Sequence, residues 1–141
     1  MGKRREGRET ALQFLFSHDI NHLLGDAEVE AFWNLRRASP AVRAFAEELI
    51  TGVRHHLAEI DRAITGCLEH FSFERLSTVD RNILRVAVFE LFHVREIPPA
   101  IVITEAIEIA KRFGETDSAR FVNGILDRIR RDRDAAAAGE G

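Results

Sequence analysis

The stretch that most constrains this chain is residues 77–94, where Ile83, Leu84, Val86, Ala87, Val88, Phe89, Leu91 and Phe92 cover nearly the whole circumference of a helix. A surface helix carries one apolar stripe, whereas a helix that is apolar all round is surrounded by other helices or by lipid. Lipid is excluded here, because the longest strongly apolar run, residues 86–89, is far short of the roughly 20 residues that span a bilayer. The stretch is therefore the buried centre of a helical bundle. Ser77-Thr78-Val79-Asp80 opens it as a capping box with Asp in place of the usual Glu. Glu90 is its odd residue, since a carboxylate among apolar neighbours needs a donor or a partner charge. A bond to a neighbouring helix or loop is expected; a general acid would need a second placed carboxylate or a nucleophile. Glu105 is read in the same way.

Helical periodicity and breakers place the other elements around that centre. A first helix is expected over residues 4–22, with Ala11, Leu12, Leu15 and Phe16 inward and Gly25 after its end. Asp26 has the character of an N-cap for a second helix carrying Val29, Phe32, Trp33 and Leu35. Ser39 then caps a third, with Pro40 in its first turn. Its stripe runs through Val42, Leu49, Val53, Ile60 and Ile64 to about Cys67 or His70, with Gly52 as a point where it could split. After the central helix, Pro98-Pro99 predicts an extended linker before a helix over 102–113 that stops at Gly114. Asp117 or Ser118 caps the last helix, buried through Phe121, Val122, Ile125, Leu126 and Ile129. The reading is an all-α bundle of about six or seven helices, a single domain over 1–134, with 135–141 as a fraying tail.

Composition narrows the function. The 141 residues, 45% hydrophobic and 30% charged, are those of an ordinary globular domain. A net charge of −3 excludes a uniformly basic protein that coats nucleic acid, so any polyanion binding must be local. The single Cys67 excludes an internal disulfide and a multi-cysteine zinc site and fits a reducing compartment, the cytoplasm. The basic N-terminus lacks the apolar core of a signal peptide. Neither a phosphate loop, a dinucleotide fingerprint, a nucleophile elbow nor a CxxC pair is present, which leaves an enzyme as the weaker class.

The local positive site is at the start. Lys3, Arg4, Arg5 and Arg8 outnumber Glu6 and Glu9, and cations at a helix N-terminus oppose its dipole, a strain that a bound anion relieves. Guanidinium groups pair bidentately with phosphate, although a solvated basic end is the commoner meaning of such a cluster. Of Phe14 and Phe16, one can face the core and the other remain for stacking on a base. His18 and His22 share a helix face, and Cys67 precedes His70 by three residues; neither pair has a third ligand or partner, and no metal or cofactor is expected.

Four motifs in order, Arg8-Glu9-Thr10-Ala11-Leu12-Gln13, then residues 76–85 (LSTVDRNILR), 105–111 (EAIEIAK) and 121–127 (FVNGILD), resemble the NusB family of transcription antitermination factors over about residues 3–130. The resemblance implies two three-helix subdomains packed together and a non-enzymatic role. It also implies partnership with NusE, the small-subunit ribosomal protein, on boxA RNA, within the antitermination complex of RNA polymerase. By position, Lys3, Arg4, Arg5, Arg8 and Phe16 match the family's RNA-contacting strip, Asp117 and Phe121 match further RNA-side positions, and Asp80 is similar to an acidic position near NusE. Phe16 lacks the hydroxyl of the more usual tyrosine, Phe71 stands where tryptophan is frequent, and Gly7 replaces a better helix former, which implies a strip that is loose until RNA docks. Two other readings remain: an RNA-positioning module like that joined to ribosomal RNA cytosine methyltransferases, without activity of its own, and a structural homodimer.

Overall fold

A computed structural model describes residues 2–20, 26–69 and 72–140. The described residues form seven α-helices and one short 3-10 turn, with no strand. In chain order the helices are α1 (Gly2–Ile20), α2 (Asp26–Asn34), α3 (Pro40–His55), α4 (Leu57–Thr65), α5 (Thr78–His93), α6 (Pro99–Phe113) and α7 (Ser118–Glu140). His22, Gly25, His70 and Phe71 lie outside the described residues. Packing explains why α5 is apolar all round: it touches α1, α3, α4, α6 and α7. The first half is α1 against α3, with α2 closed onto α1 by the edge-on contact of Phe32 and Phe14 at 5.4 Å. In the second half α6 and α7 pack on each other and on α5.

Local chemistry sets the helix starts. The Ser39 hydroxyl accepts from the Val42 N–H at 3.3 Å, and that of Ser77 accepts from the Asp80 N–H at 3.0 Å, each satisfying one orphan donor of a first turn. The Asp80 Oδ1 atom is buried without a hydrogen-bond partner among the described residues. Pro99 starts α6 three residues earlier than expected, because the fixed φ and missing N–H of a proline suit the first helical position. Leu35, placed by periodicity on α2, falls just past its end and is 89% exposed. The segment 135–139, expected to fray, continues α7 as exposed helix.

The expected long third helix divides into α3 and α4 at His56, whose φ of −111° and ψ of 20° turn the chain. Gly52 stays helical for a packing reason. A Cβ there would lie 2.1 Å from Cζ of Phe89, so its absence lets α3 approach α5. Gly7 does the same for α1, where a Cβ would lie 2.8 Å from Cδ2 of Phe45. The strip-bearing turn lies in a helix that starts at Gly2. Beyond the corner, Arg85 of α5 donates from Nε and Nη2 to both carboxylate oxygens of Asp61 on α4, each at 2.9 Å.

Helix propensity alone would make Gly52→Ala stabilising by about 1 kcal/mol. The Phe89 contact reverses the sign, and we expect urea unfolding to show a loss of about 1–3 kcal/mol from overpacking. Recovery of stability in Gly52→Ala/Phe89→Leu would identify the ring as the cause; a stabilised single variant would contradict the packing account.

Candidate nucleic-acid interface

The four N-terminal cations do not share one fate. Lys3 and Arg4 are exposed on the first turn of α1. Arg5 is half-exposed and pairs with Glu105 of α6, Nε to Oε1 at 3.3 Å and Nη2 to Oε2 at 2.5 Å. Those bonds hold the Glu105 carboxyl below its usual range, against the opposing effect of burial. Arg8 is 3% exposed. Its Nε and Nη2 donate to Oε2 and Oε1 of Glu90 at 2.9 and 2.7 Å, and Nη1 lies 3.6 Å from Glu105. Arg8 thus departs from the expected strip: buried and paired with Glu90, it does not present its guanidinium to solvent as Lys3 and Arg4 do. It supplies instead the partner that Glu90 required. Burial pushes the Glu90 carboxyl up, and the hydrogen bonds and charge of Arg8 oppose that shift.

South of Arg5 on the same face of α1, at intervals of three or four residues, come Glu9, Gln13 and Phe16. Glu9 accepts from Nη1 of Arg112 on α6 at 3.1 Å from each oxygen. Phe14 is buried while Phe16 stays 38% exposed. Phe16 lines a groove of about 690 Å³ with Gln13, Phe32, Arg36, Val79 and Phe113. The guanidinium groups of Arg36 and Arg112 lie 4.6 Å from the Phe32 ring and 5.0 Å from the Phe113 ring. The α1–α6 seam thus runs from exposed cations, through ion pairs, to a groove of rings edged by arginines. Such edges attract phosphate, and exposed rings accept a stacked base.

Asp80, Asp117 and Phe121 are brought together with Glu115 in a second groove of about 520 Å³. It adjoins the first, because Val79 and Phe113 line one and Asp80 and Glu115 the other. Three carboxylates repel phosphate. They suit the donors of a basic protein, or the amino groups and 2′-hydroxyls of a nucleotide. Sequence reasoning missed Arg36 and Arg112; the Arg36-Arg37 pair beside the stray Leu35 was an available signal, whereas Lys111-Arg112 reads equally well as helix-dipole compensation.

Of the two pairs weighed from sequence, only His18 and Cys67 are described, since His22 and His70 lie outside the described residues. His18 stacks on Phe14 at 6.4 Å between centroids. Cys67 is buried, which raises its thiol pKa and disfavours the reactive thiolate. A group of metal-ligand type, His56, Glu59 and His93, forms at the far end of α5. No helix among the described residues is long and apolar enough to cross a membrane.

A helical bundle with a cationic and aromatic seam beside an acidic groove defines a scaffold for binding macromolecules. Residues 5–131 match the NusB family, and this chain belongs to it. It is 43% identical over 129 residues to the transcription antitermination protein NusB of Sorangium cellulosum, covering 92% of each chain. To that of Geobacter sulfurreducens it is 47% identical over 132 residues, covering 92% of this chain and 94% of the relative. Among solved structures it resembles a T. maritima NusB with a TM-score of 0.81 at 40% identity, over 91% of this chain and 90% of that one. It also resembles a chain from a complex of antitermination factors NusB and NusE with double-stranded RNA, with a TM-score of 0.78 at 27% identity, over 94% of this chain and 99% of that one.

Unpairing the interior ion pair tests the reassignment of Arg8. Glu90→Ala leaves a buried guanidinium without its counter-charge and should cost about 3–5 kcal/mol in urea unfolding, whereas Arg8→Met/Glu90→Leu should lie near the wild type. An Arg8→Ala variant of unchanged stability would return Arg8 to the surface.

Proposed function

We propose that this chain is a non-enzymatic transcription antitermination factor that binds boxA RNA together with NusE, the small-subunit ribosomal protein, in support of ribosomal RNA transcription. It works in the cytoplasm, within the antitermination complex of RNA polymerase. The observation that carries this reading is the α1–α6 seam, on which Lys3, Arg4 and Arg5 precede the Phe16 groove. The family membership and the solved NusB–NusE complex with RNA support it.

In this reading Lys3, Arg4 and Arg5 contact phosphates and Phe16 stacks on a base. Asp117 and Phe121 meet the strand where it passes the acidic groove, Asp117 through donors on base or ribose and Phe121 through its ring. Asp80 faces NusE from the rim of the acidic groove, where its carboxylate suits basic side chains of that partner. Arg8 positions the strip without touching RNA. Three cations on a chain of net charge −3 give only a local attraction, screened within about 8 Å at physiological salt. NusE therefore completes the binding surface, and the heterodimer is the competent binder.

Fluorescence anisotropy with labelled boxA and a scrambled control tests this directly. Adding NusE should tighten boxA binding, and log K should fall against log[salt] with a slope near about −2, the value for three phosphates on a single strand. Lys3→Ala and Arg4→Ala should each lower affinity and reduce that slope by about 0.7, with helical circular dichroism unchanged. A flat salt response, or isolated protein that binds as tightly as the mixture, would overturn the proposal.

A further inference from the structure

The corner between α3 and α4 gathers three side chains that the seam does not use. His56 is the corner residue, Glu59 lies in the first turn of α4, and His93 ends α5. Their ligand atoms all lie within 4.8 Å of one another. His93 Nε2 is 2.7 Å from Glu59 Oε1, and His56 Nδ1 is 3.7 Å from the same oxygen. The two imidazoles stack with centroids 3.9 Å apart, and the Phe89 ring lies 6.0 Å from one and 5.6 Å from the other. The corner is held by the core: Phe89 is the ring seated on Gly52, so one contact turns α3 toward α5 and sets His56 opposite His93.

We propose that His56, Glu59 and His93 bind a divalent transition metal of the zinc class, which ties the α3–α4 corner to the C-terminal end of α5. Two nitrogens and one carboxylate oxygen form a donor set that favours zinc and its neighbours over magnesium or calcium, which prefer oxygen. Ligands about 2.1 Å from a tetrahedral ion stand roughly 3.4 Å from one another. The distances of 2.7 and 3.7 Å bracket that spacing. All three residues are at least partly exposed, so the stacked imidazoles have room to splay apart and aim their in-plane lone pairs at one ion, and water or an external ligand takes the fourth position. At 1.5 Å per residue, His93 lies about 20 Å along α5 from Asp80, which separates this site from the acidic groove.

The test is calorimetric titration of tag-free, metal-stripped full-length protein with ZnCl2, with MgCl2 as the control. We expect saturable binding of one Zn2+ at micromolar metal, no binding of Mg2+, and a rise in Tm that EDTA reverses. His56→Gln, Glu59→Gln and His93→Gln should each weaken binding at least about tenfold, the smallest loss that even an outer partner of a metal ligand produces when removed. His55→Gln, an exposed neighbour outside the group, should leave it unchanged. Cobalt in place of zinc should give the visible absorption of a four-coordinate site in wild type and lose it in His93→Gln, with circular dichroism showing that the variants fold. Absence of saturable zinc binding, or binding that survives His93→Gln and Glu59→Gln, would overturn the site.

Discussion

The pairing of Arg8 with Glu90 inside the bundle is the interaction on which the remaining geometry depends. Two charges removed from water cost several kcal/mol each, and their attraction offsets this only with good geometry and satisfied hydrogen bonds. Here both carboxylate oxygens accept from the guanidinium, which also lies 5.5 Å from the Phe45 ring. The pair contributes register more than stability. A shift of α1 along α5 by one turn would strand a buried charge on each helix. With α1 held in register, Arg5 and Glu9 meet Glu105 and Arg112 of α6, and Phe16 reaches the groove lined by Phe113.

Features controlled by neighbouring residues were legible in the sequence. Ser39 and Ser77 announced their helices because a cap is local hydrogen bonding, and the all-round apolarity of α5 announced a central helix because no other position tolerates it. The break at His56 was hidden, since it depends on where α5 lies, and Gly52 drew attention for its weak propensity when its role is room for Phe89. Pro99 misled in the opposite direction, as a terminator that serves as a start.

The site was legible as a set of residue types but not as a division of labour. Arg8 and Arg4 look alike in sequence, yet one has Glu90 above it and the other has solvent. A signal existed: Glu90 was a carboxylate without an evident partner in an apolar helix, and a cation elsewhere in the chain had to answer it. Asp80, Asp117 and Phe121 came from the family resemblance, and only the fold places them around one acidic groove. His56 and Glu59 are three residues apart, but the group escaped notice because His93, which completes it, lies 34 residues beyond Glu59.

Charge is thus sorted by place in a chain that is acidic overall: exposed cations at the head of α1, neutralised pairs along the seam, carboxylates at the head of α7. Photo-crosslinking of thiouridine-labelled boxA to the chain in the presence of NusE tests the central claim most directly. The account predicts adducts in peptides of α1 around residues 3–16 and at the groove around residues 113–121. Adducts confined to the exposed end of α7 or to the α3–α4 corner would contradict it.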